Sequence, residues 1–179
     1  MNIRIETERL IMRPFHENDV ERLFLLDSNP EVMKYIGIKP LTKIEQSAEV
    51  IKMIQKQYAE NGIGRLAVIE KESNLLIGWS FLKYLTEEID GIKNVYDLGY
   101  RFLPEFWGKG YATESAKASI EYGFKEMNLD KICAHAHSEN EASIYTLKKV
   151  GFQEKGTFID DLDGAKCYWY EIKNNEFSL

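Results

Sequence analysis

The sequence predicts an α/β fold, a mixed and largely antiparallel sheet of about seven strands flanked by about four helices. Three observations carry that expectation. Alternating, strand-like segments crowd the middle of the chain, and segments with apolar residues at helical spacing flank them. The third is the stretch from Tyr96 to Glu114, where an apolar strand pattern runs through Gly108-Lys109-Gly110 into a helix.

Ile3 to Arg13 reads as the first strand. Asn18 with Glu21 three residues later forms a capping-box start for a helix that turns Val20, Leu23 and Phe24 inward. Thr42 and Glu45 repeat the signal ahead of Ile51, Ile54 and Tyr58, which share one helical face, and Gly62 and Gly64 stop that helix. Arg65 to Glu70 and Leu75 to Leu85 read as a hairpin around Glu72-Ser73-Asn74, and Val95 to Leu103 is the next strand. From Tyr111 to Met127, Ala112, Ala116, Ile120, Phe124 and Met127 make one apolar stripe that should pack on the sheet. A strand over Lys131 to His137, a helix over Glu141 to Lys149, and strands near Phe152 to Ile159 and Ala165 to Ile172 complete the pattern.

Composition narrows the function classes. The 179 residues are 44% hydrophobic, enough for the core of one domain spanning residues 1–179, and no repeat or Pro/Ser-rich linker divides them. No apolar run approaches the ~20 residues of a membrane span, and Met1-Asn2-Ile3-Arg4 lacks the apolar block of a signal peptide, so a cytoplasmic protein without a membrane partner is expected. Twenty-nine acidic against 23 basic residues, net −6, argue against nucleic-acid binding and favour a cationic partner such as an amine. Cys133 and Cys167 lie in separate alternating segments, outside any Cys-x-x-Cys pair, and are expected to be reduced core residues. His135 and His137 share one strand face, but with only His16 besides and no Cys/Asp cluster nearby, no metal is expected.

Gly108-Lys109-Gly110 before a helix is the architecture of an anion cradle, since two close glycines let N–H groups converge where the helix adds its positive end. The dinucleotide fingerprint needs a third glycine where this chain has Thr113, and the Walker pattern needs Gly-Lys-Ser/Thr where it has Gly-Lys-Gly. Both fail. The stretch Gly99-Tyr100, Pro104 and Trp107-Gly-Lys-Gly-Tyr-Ala-Thr-Glu114 resembles the pyrophosphate loop of the GNAT acyl-CoA-dependent N-acetyltransferases, and in wording their ribosomal-protein (RimJ/RimL-like) branch. Two further matches accompany it. Asn140-Glu-Ala-Ser143 with Lys149-Val-Gly151-Phe152 is similar to the family's Asn-x-x-Ser segment ending in Gly-Phe, and Glu8-Arg9-Leu10 with Arg13-Pro14 is similar to the branch's first strand.

The resemblance implies a GNAT-like fold, acetyl-CoA as co-substrate and transfer of its acetyl group to an amine. It places the cofactor pyrophosphate on the backbone of Trp107, Gly108, Lys109, Gly110, Tyr111, Ala112 and Thr113, with Lys109 a weak exposed counter-charge. Phe102 and Leu103 precede Pro104, which has no N–H to donate, so unpaired backbone groups are expected there, and the resemblance lays the pantetheine arm along them. Asn140 is placed to cap the helix that follows it; by resemblance it binds the pantetheine amides, with Ser143 near the sulfur as a proton donor. Many family members carry a tyrosine acid four residues before the Gly-Phe pair, where this chain has Leu147, and Tyr145 is turned ~200° away on the helix.

Asp97, two residues before Gly99, stands where the family often has a carboxylate base, and otherwise reads as a surface strand residue. Glu114 reads as a structural acid at the helix start. Tyr168, Trp169 and Tyr170 read as sheet packing. A protein N-terminal α-amine is the favoured acceptor, with a small amine as the second reading, since an α-amine near ~8 deprotonates more easily than lysine near ~10.4. The alternative function is a non-catalytic acyl-CoA-binding regulatory module. No motif in Asn29 to Gly64 or Thr86 to Lys93 names the acceptor, and monomer and homodimer stay open.

Overall fold

The computed structural model describes residues 3–177, so Met1 and Asn2, the start of the stretch read for a leader, lie outside it, as do Ser178 and Leu179. The first strand is broken in two: β1 (Ile5–Glu6) and β2 (Leu10–Arg13) form a hairpin with Ile5 opposite Met12. The sequence reading ran them together. Thr7 makes the break, its N–H donating to the Leu10 carbonyl and its hydroxyl oxygen accepting the Leu10 N–H, both at 3.0 Å, so a side chain replaces a ladder bond.

Helix α1 (Val20–Asp27) buries Leu23 and Leu26, with Val20 and Phe24 only half buried. Its start differs from the expected box at Asn18 and Glu21, because Asp19 takes the His16 N–H and pairs with Arg13 at 2.7 Å. Helix α2 (Pro30–Met33) went unread in the sequence, although Asn29 caps it and Pro30 opens it. Helix α3 (Ile44–Asn61) starts one box-step later than expected, with Gln46 accepting the Lys43 and Thr42 N–H groups. Ile51, Ile54 and Tyr58 face inward from it, and Gly62 ends it at φ 69°.

Strands β3 (Leu66–Glu70), β4 (Leu75–Leu85) and β5 (Val95–Phe102) follow as an antiparallel meander. Helix α4 (Tyr111–Lys125) lays its stripe over that meander, packing Ala116, Ile120 and Phe124 with Ile77, Leu82 and Leu98. Strand β6 (Lys131–His137), helix α5 (Glu141–Lys149) and the hairpin β7 (Gln153–Ile159) and β8 (Lys166–Lys173) complete one sheet in the order β1-β2-β3-β4-β5-β6-β8-β7. Its eight strands and five α-helices exceed the expected counts by the split strand and by α2.

Only β5 and β6 run parallel, and they pair at a single position, Asp97 opposite Cys133. Beyond it their C-terminal halves share no ladder, so each presents an open edge to the other. Buried backbone groups seldom go without partners, and a gap of this kind is a natural seat for an extended ligand.

Candidate active site

The glycine turn read as an anion cradle folds where the sequence placed it. After a 3-10 turn at Pro104–Phe106, Gly108 and Gly110 take left-handed backbone, φ 72° and 84°, and lead into α4, which no side chain caps. The N–H groups of Gly108, Lys109 and Gly110 have no backbone acceptor among the described residues, and the first N–H groups of α4, from Tyr111, Ala112 and Thr113, have none within the helix. Trp107 is a correction. Its N–H donates to the Pro104 carbonyl at 3.0 Å and its indole N–H to the Phe102 carbonyl at 2.7 Å, so Trp107 closes the turn and has no N–H left for an anion.

The groups expected to be unpaired before Pro104 are likewise engaged: that same Phe102 carbonyl, and the Leu103 N–H, which reaches the Ile77 carbonyl at 2.9 Å. The open backbone lies earlier, where β5 faces β6.

Arg9 supports the cradle from the other side of the fold. Its Nη1 donates to the Lys109 carbonyl at 2.9 Å, and its guanidinium lies 4.5 Å from the Tyr111 ring centre. Glu114 fixes Arg9 in turn, accepting from Arg9 Nε at 2.7 Å, from its N–H at 2.9 Å and from the Thr7 hydroxyl at 2.5 Å. Burial pushes the Glu114 carboxyl up, but these hydrogen bonds outweigh it and hold the group below its ordinary value. Glu114 is thus the structural acid expected. Arg9 was quoted in the sequence only as part of a strand motif; its spacing of 105 residues from Glu114 hides the contact. Lys109 is exposed, its ammonium 5.1 Å from the Phe106 ring centre.

At the parting of β5 and β6, Asp97 is buried, not a surface residue, with its side chain 3% exposed. Its carboxylate lies 3.3 Å from His135 Nδ1 and 3.5 Å from Lys83 Nζ. Burial raises its pKa, yet the charges and hydrogen bonds of His135 and Lys83 prevail, and the group sits below its ordinary value. A hidden carboxylate already engaged by His135 and Lys83 is badly placed to take a proton from an acceptor in the cavity. His135 is 27% exposed, stacked nearly parallel on Trp169 at 5°, and faces the cavity. The sequence offered His135 as half of a metal pair; the partner it has is Asp97, 38 positions away.

Across the same gap, the Tyr100 hydroxyl lies 3.1 Å from the Ser143 carbonyl and 3.2 Å from Ser143 Oγ. Burial pushes the Tyr100 phenol up to about 12, so it stays protonated at neutral pH. Leu147 is buried beside it at 1% exposure, and Tyr145 points to solvent. Asn140 caps α5, its Oδ1 accepting the Ser143 N–H at 3.1 Å, which leaves its Nδ2 without a hydrogen bond among the described residues.

Asp97, His135, Tyr100, Asn140 and Ser143 line one cavity of about 470 Å³, roofed by the segment after α2 and by the β7–β8 loop. Trp107 to Thr113 do not line it: the cavity lies along β5 and α5, and the glycine turn follows the end of β5 at the start of α4.

A family model described as an acetyltransferase (GNAT) domain matches residues 9–153. The chain belongs to the GNAT acetyltransferase family. It is 33% identical over 177 residues to the uncharacterized N-acetyltransferase p20 of Bacillus licheniformis, covering 96% of this chain and 97% of that one. It is 28% identical over 151 residues to the spermidine N(1)-acetyltransferase of Escherichia coli (strain K12), covering 84% and 76%. The crystal structure of a GNAT-family acetyltransferase from Bacillus anthracis matches with a TM-score of 0.81 at 29% identity, covering 97% of this chain and 100% of the other. The narrower ribosomal-protein branch is not shown. The ribosomal-protein-S5-alanine acetyltransferase of Vibrio fischeri matches with a TM-score of 0.73 at 17% identity, a likeness of fold alone.

As a GNAT protein the chain is an acyltransferase that uses acetyl-CoA, which the open β5/β6 edges and the uncapped start of α4 fit. Its two cysteines are free and buried, and burial pushes their thiols up, Cys133 to about 12 and Cys167 to about 11. Neither is a thiolate at neutral pH, so neither suits a nucleophile. Among the described residues no three His, Cys, Asp or Glu side chains are placed to hold a metal ion. No helix among them is long and apolar enough to cross a membrane.

Proposed function

We propose that this GNAT enzyme moves the acetyl group of acetyl-CoA to a primary amine by direct attack, with His135 as base and the Tyr100–Ser143 pair as acid. The observation that carries the reading is the placement of the Asp97–His135 and Tyr100–Ser143 pairs on one cavity, each reaching from β5, the first to β6 and the second to α5. Acetyl-CoA supplies a thioester carbonyl. As the amine nitrogen forms its C–N bond and the C–S bond breaks, His135 takes the amine proton and the departing sulfur receives one from the hydroxyl pair.

With Nδ1–H donated to Asp97, the His135 Nε2 lone pair is left to face the acceptor. Asp97 acts through His135 by fixing its tautomer and steadying its cation, and Trp169 holds the ring plane. Tyr100, kept protonated, and Ser143 take the place of the tyrosine absent at Leu147. The pantetheine arm follows the open edge of β5 where it faces β6, past Asp97 and Gly99, within reach of Asn140 Nδ2. The pyrophosphate rests on the N–H groups of Gly108 to Thr113.

A cavity of about 470 Å³ suits a small molecule or the first residues of a peptide, so the acceptor is a small amine or a protein N-terminus. Spermidine acetyltransferases among the relatives favour a small amine. Purified protein is incubated with acetyl-CoA and a panel of amines and peptides, following thiol release and product mass. Acceptor-dependent release that falls by ~10²-fold or more in His135→Gln, and by less in Ser143→Ala and Tyr100→Phe, is expected. Full activity in His135→Gln sinks the assignment of the base, and no transfer to any amine sinks the reading as a whole.

A further inference from the structure

The floor of the cavity holds two arginines, and among the described residues only one of them is in contact with a carboxylate. Arg65, just before β3, and Arg101, on β5, both lie against the ring of Trp79, their guanidinium carbons 4.8 and 5.2 Å from its centre. Trp79 and Arg101 are register partners across β4 and β5. Gly99 makes room for the indole, because a Cβ there would meet a Trp79 ring carbon at 3.0 Å. All of these residues line the cavity.

Of the two guanidiniums only Arg101 has a carboxylate in contact among the described residues, while Asp27 and Asp97 act on Arg65 from farther off. Asp27 accepts from Arg101 Nη1 at 2.5 Å, with both side chains under a tenth exposed. Arg65 has no ion pair among the described residues. Three donors of the cluster, Arg65 Nε, Arg101 Nε and Trp79 Nε1, are buried with no hydrogen-bond acceptor among the described residues. Burial, followed by repulsion from Arg101, pulls the Arg65 guanidinium down to about 10, so it remains a cation at neutral pH in a place that disfavours cations. Contact with Trp79 offsets part of that, but a ring face satisfies none of a guanidinium's five donors.

The outer wall has the opposite sign. Glu87, Glu88, Asp90 and Asp161 are exposed side chains lining the same cavity. A ligand drawn in by an acidic mouth and completed by a basic floor carries both charges. A polyamine meets the mouth well but sets a second ammonium against two guanidiniums.

We propose that the acceptor is a primary amine that also carries an oxyanion, a carboxylate or a phosphate, held by Arg65 and Arg101 while the amine faces His135. This rests on the acetyl-transfer reading above. Asp97, Gly99 and Arg101 alternate along one face of β5, so the oxyanion sits about two residues, ~7 Å of strand, past Gly99 toward Arg101. The guanidinium forks then supply paired donors to its oxygens.

The test compares wild-type kcat/KM for matched amines with and without the oxyanion: β-alanine, γ-aminobutyrate and aspartate against propylamine and butylamine, phosphoethanolamine against ethanolamine, and spermidine. Binding of each is also measured by calorimetry. The oxyanion-bearing member of a pair is expected to win by roughly 10- to 100-fold, the worth of one or two charge-assisted hydrogen bonds. The winning arm, carboxylate or phosphate, names the source. Arg65→Gln is expected to collapse that preference to within about threefold, with Arg65→Lys restoring part of it.

Equal or better use of spermidine or the plain amines by the wild type overturns the proposal, and this holds even if Arg65→Gln fails to fold. Tight, Arg65-dependent binding of oxyanion-bearing amines without turnover upholds it and overturns the acetyl-transfer reading instead.

Discussion

Asp97 Oδ1 and His135 Nδ1 lie 3.3 Å apart, Asp97 at the single position where β5 pairs with β6 and His135 two residues past it on β6. Any change in how the two strands part would separate them, so the pair proposed to accept the proton and the proposed seat of the thioester are set by one feature of the sheet.

The pair predicts an order of severity. His135→Gln removes the group that takes the proton and should lower kcat by ~10²- to 10⁴-fold. Asp97→Asn leaves that group in place but unsupported and should cost less. Steady-state kinetics on both variants checks the order, and a larger loss in Asp97→Asn would restore Asp97 as the base itself.

Asp97 also ties stability to acid. Its carboxyl is held below its ordinary value of 3.8 in the fold, so the unfolded chain takes up that proton first as pH drops. The stabilisation is fully present above the unfolded value and is lost as pH falls through the folded one. Urea unfolding between pH 6 and pH 3 should show the loss, with a shallower acid slope in Asp97→Asn.

The cradle predicts a contrast between neighbours. Gly110→Ala puts a side chain at φ 84°, with its Cβ 3.4 Å from the Arg9 guanidinium, and should weaken CoA binding by about tenfold, from ~1–2 kcal/mol of strain. Arg9→Ala removes the support of the Lys109 carbonyl and should raise KM for acetyl-CoA by a similar factor with little change in kcat. Lys109→Ala, at an exposed site, should change it by ~2- to 5-fold. Titration with CoA gives all three, and a Lys109 effect exceeding that of Gly110 would refute a backbone cradle.

Cys133 sets an alkaline limit. Burial lifts its thiol from 9.0 to about 12, so the fold binds that proton more tightly than the unfolded chain does. The stabilisation is whole below the unfolded value and fades as pH rises toward 12. Alkylation by iodoacetamide at pH 8.5 should be slow in the native protein and fast in urea, and stability of Cys133→Ala should decline less between pH 9 and pH 11 than that of the wild type.

The sequence by itself determined the order of the elements apart from α2 and the split first strand, the glycine turn at Gly108 to Gly110 and the family, because each is written in residues close together. Periodicity marked α4 and β6 closely, and the glycines marked the turn into α4. Local letters failed where a side chain took over a backbone role, as Thr7 does in splitting the first strand and Gln46 in starting α3. They also failed at Trp107, whose N–H is consumed by its own turn. Only the tertiary structure decided that Asp97 is buried against His135, that Tyr100 meets Ser143, that Arg9 braces the glycine turn and that Arg65, among the described residues, has no ion pair beside Arg101. Each of these depends on groups brought together across the sheet from distant positions, and charge, burial and proton affinity are properties of that neighbourhood, not of the residue alone.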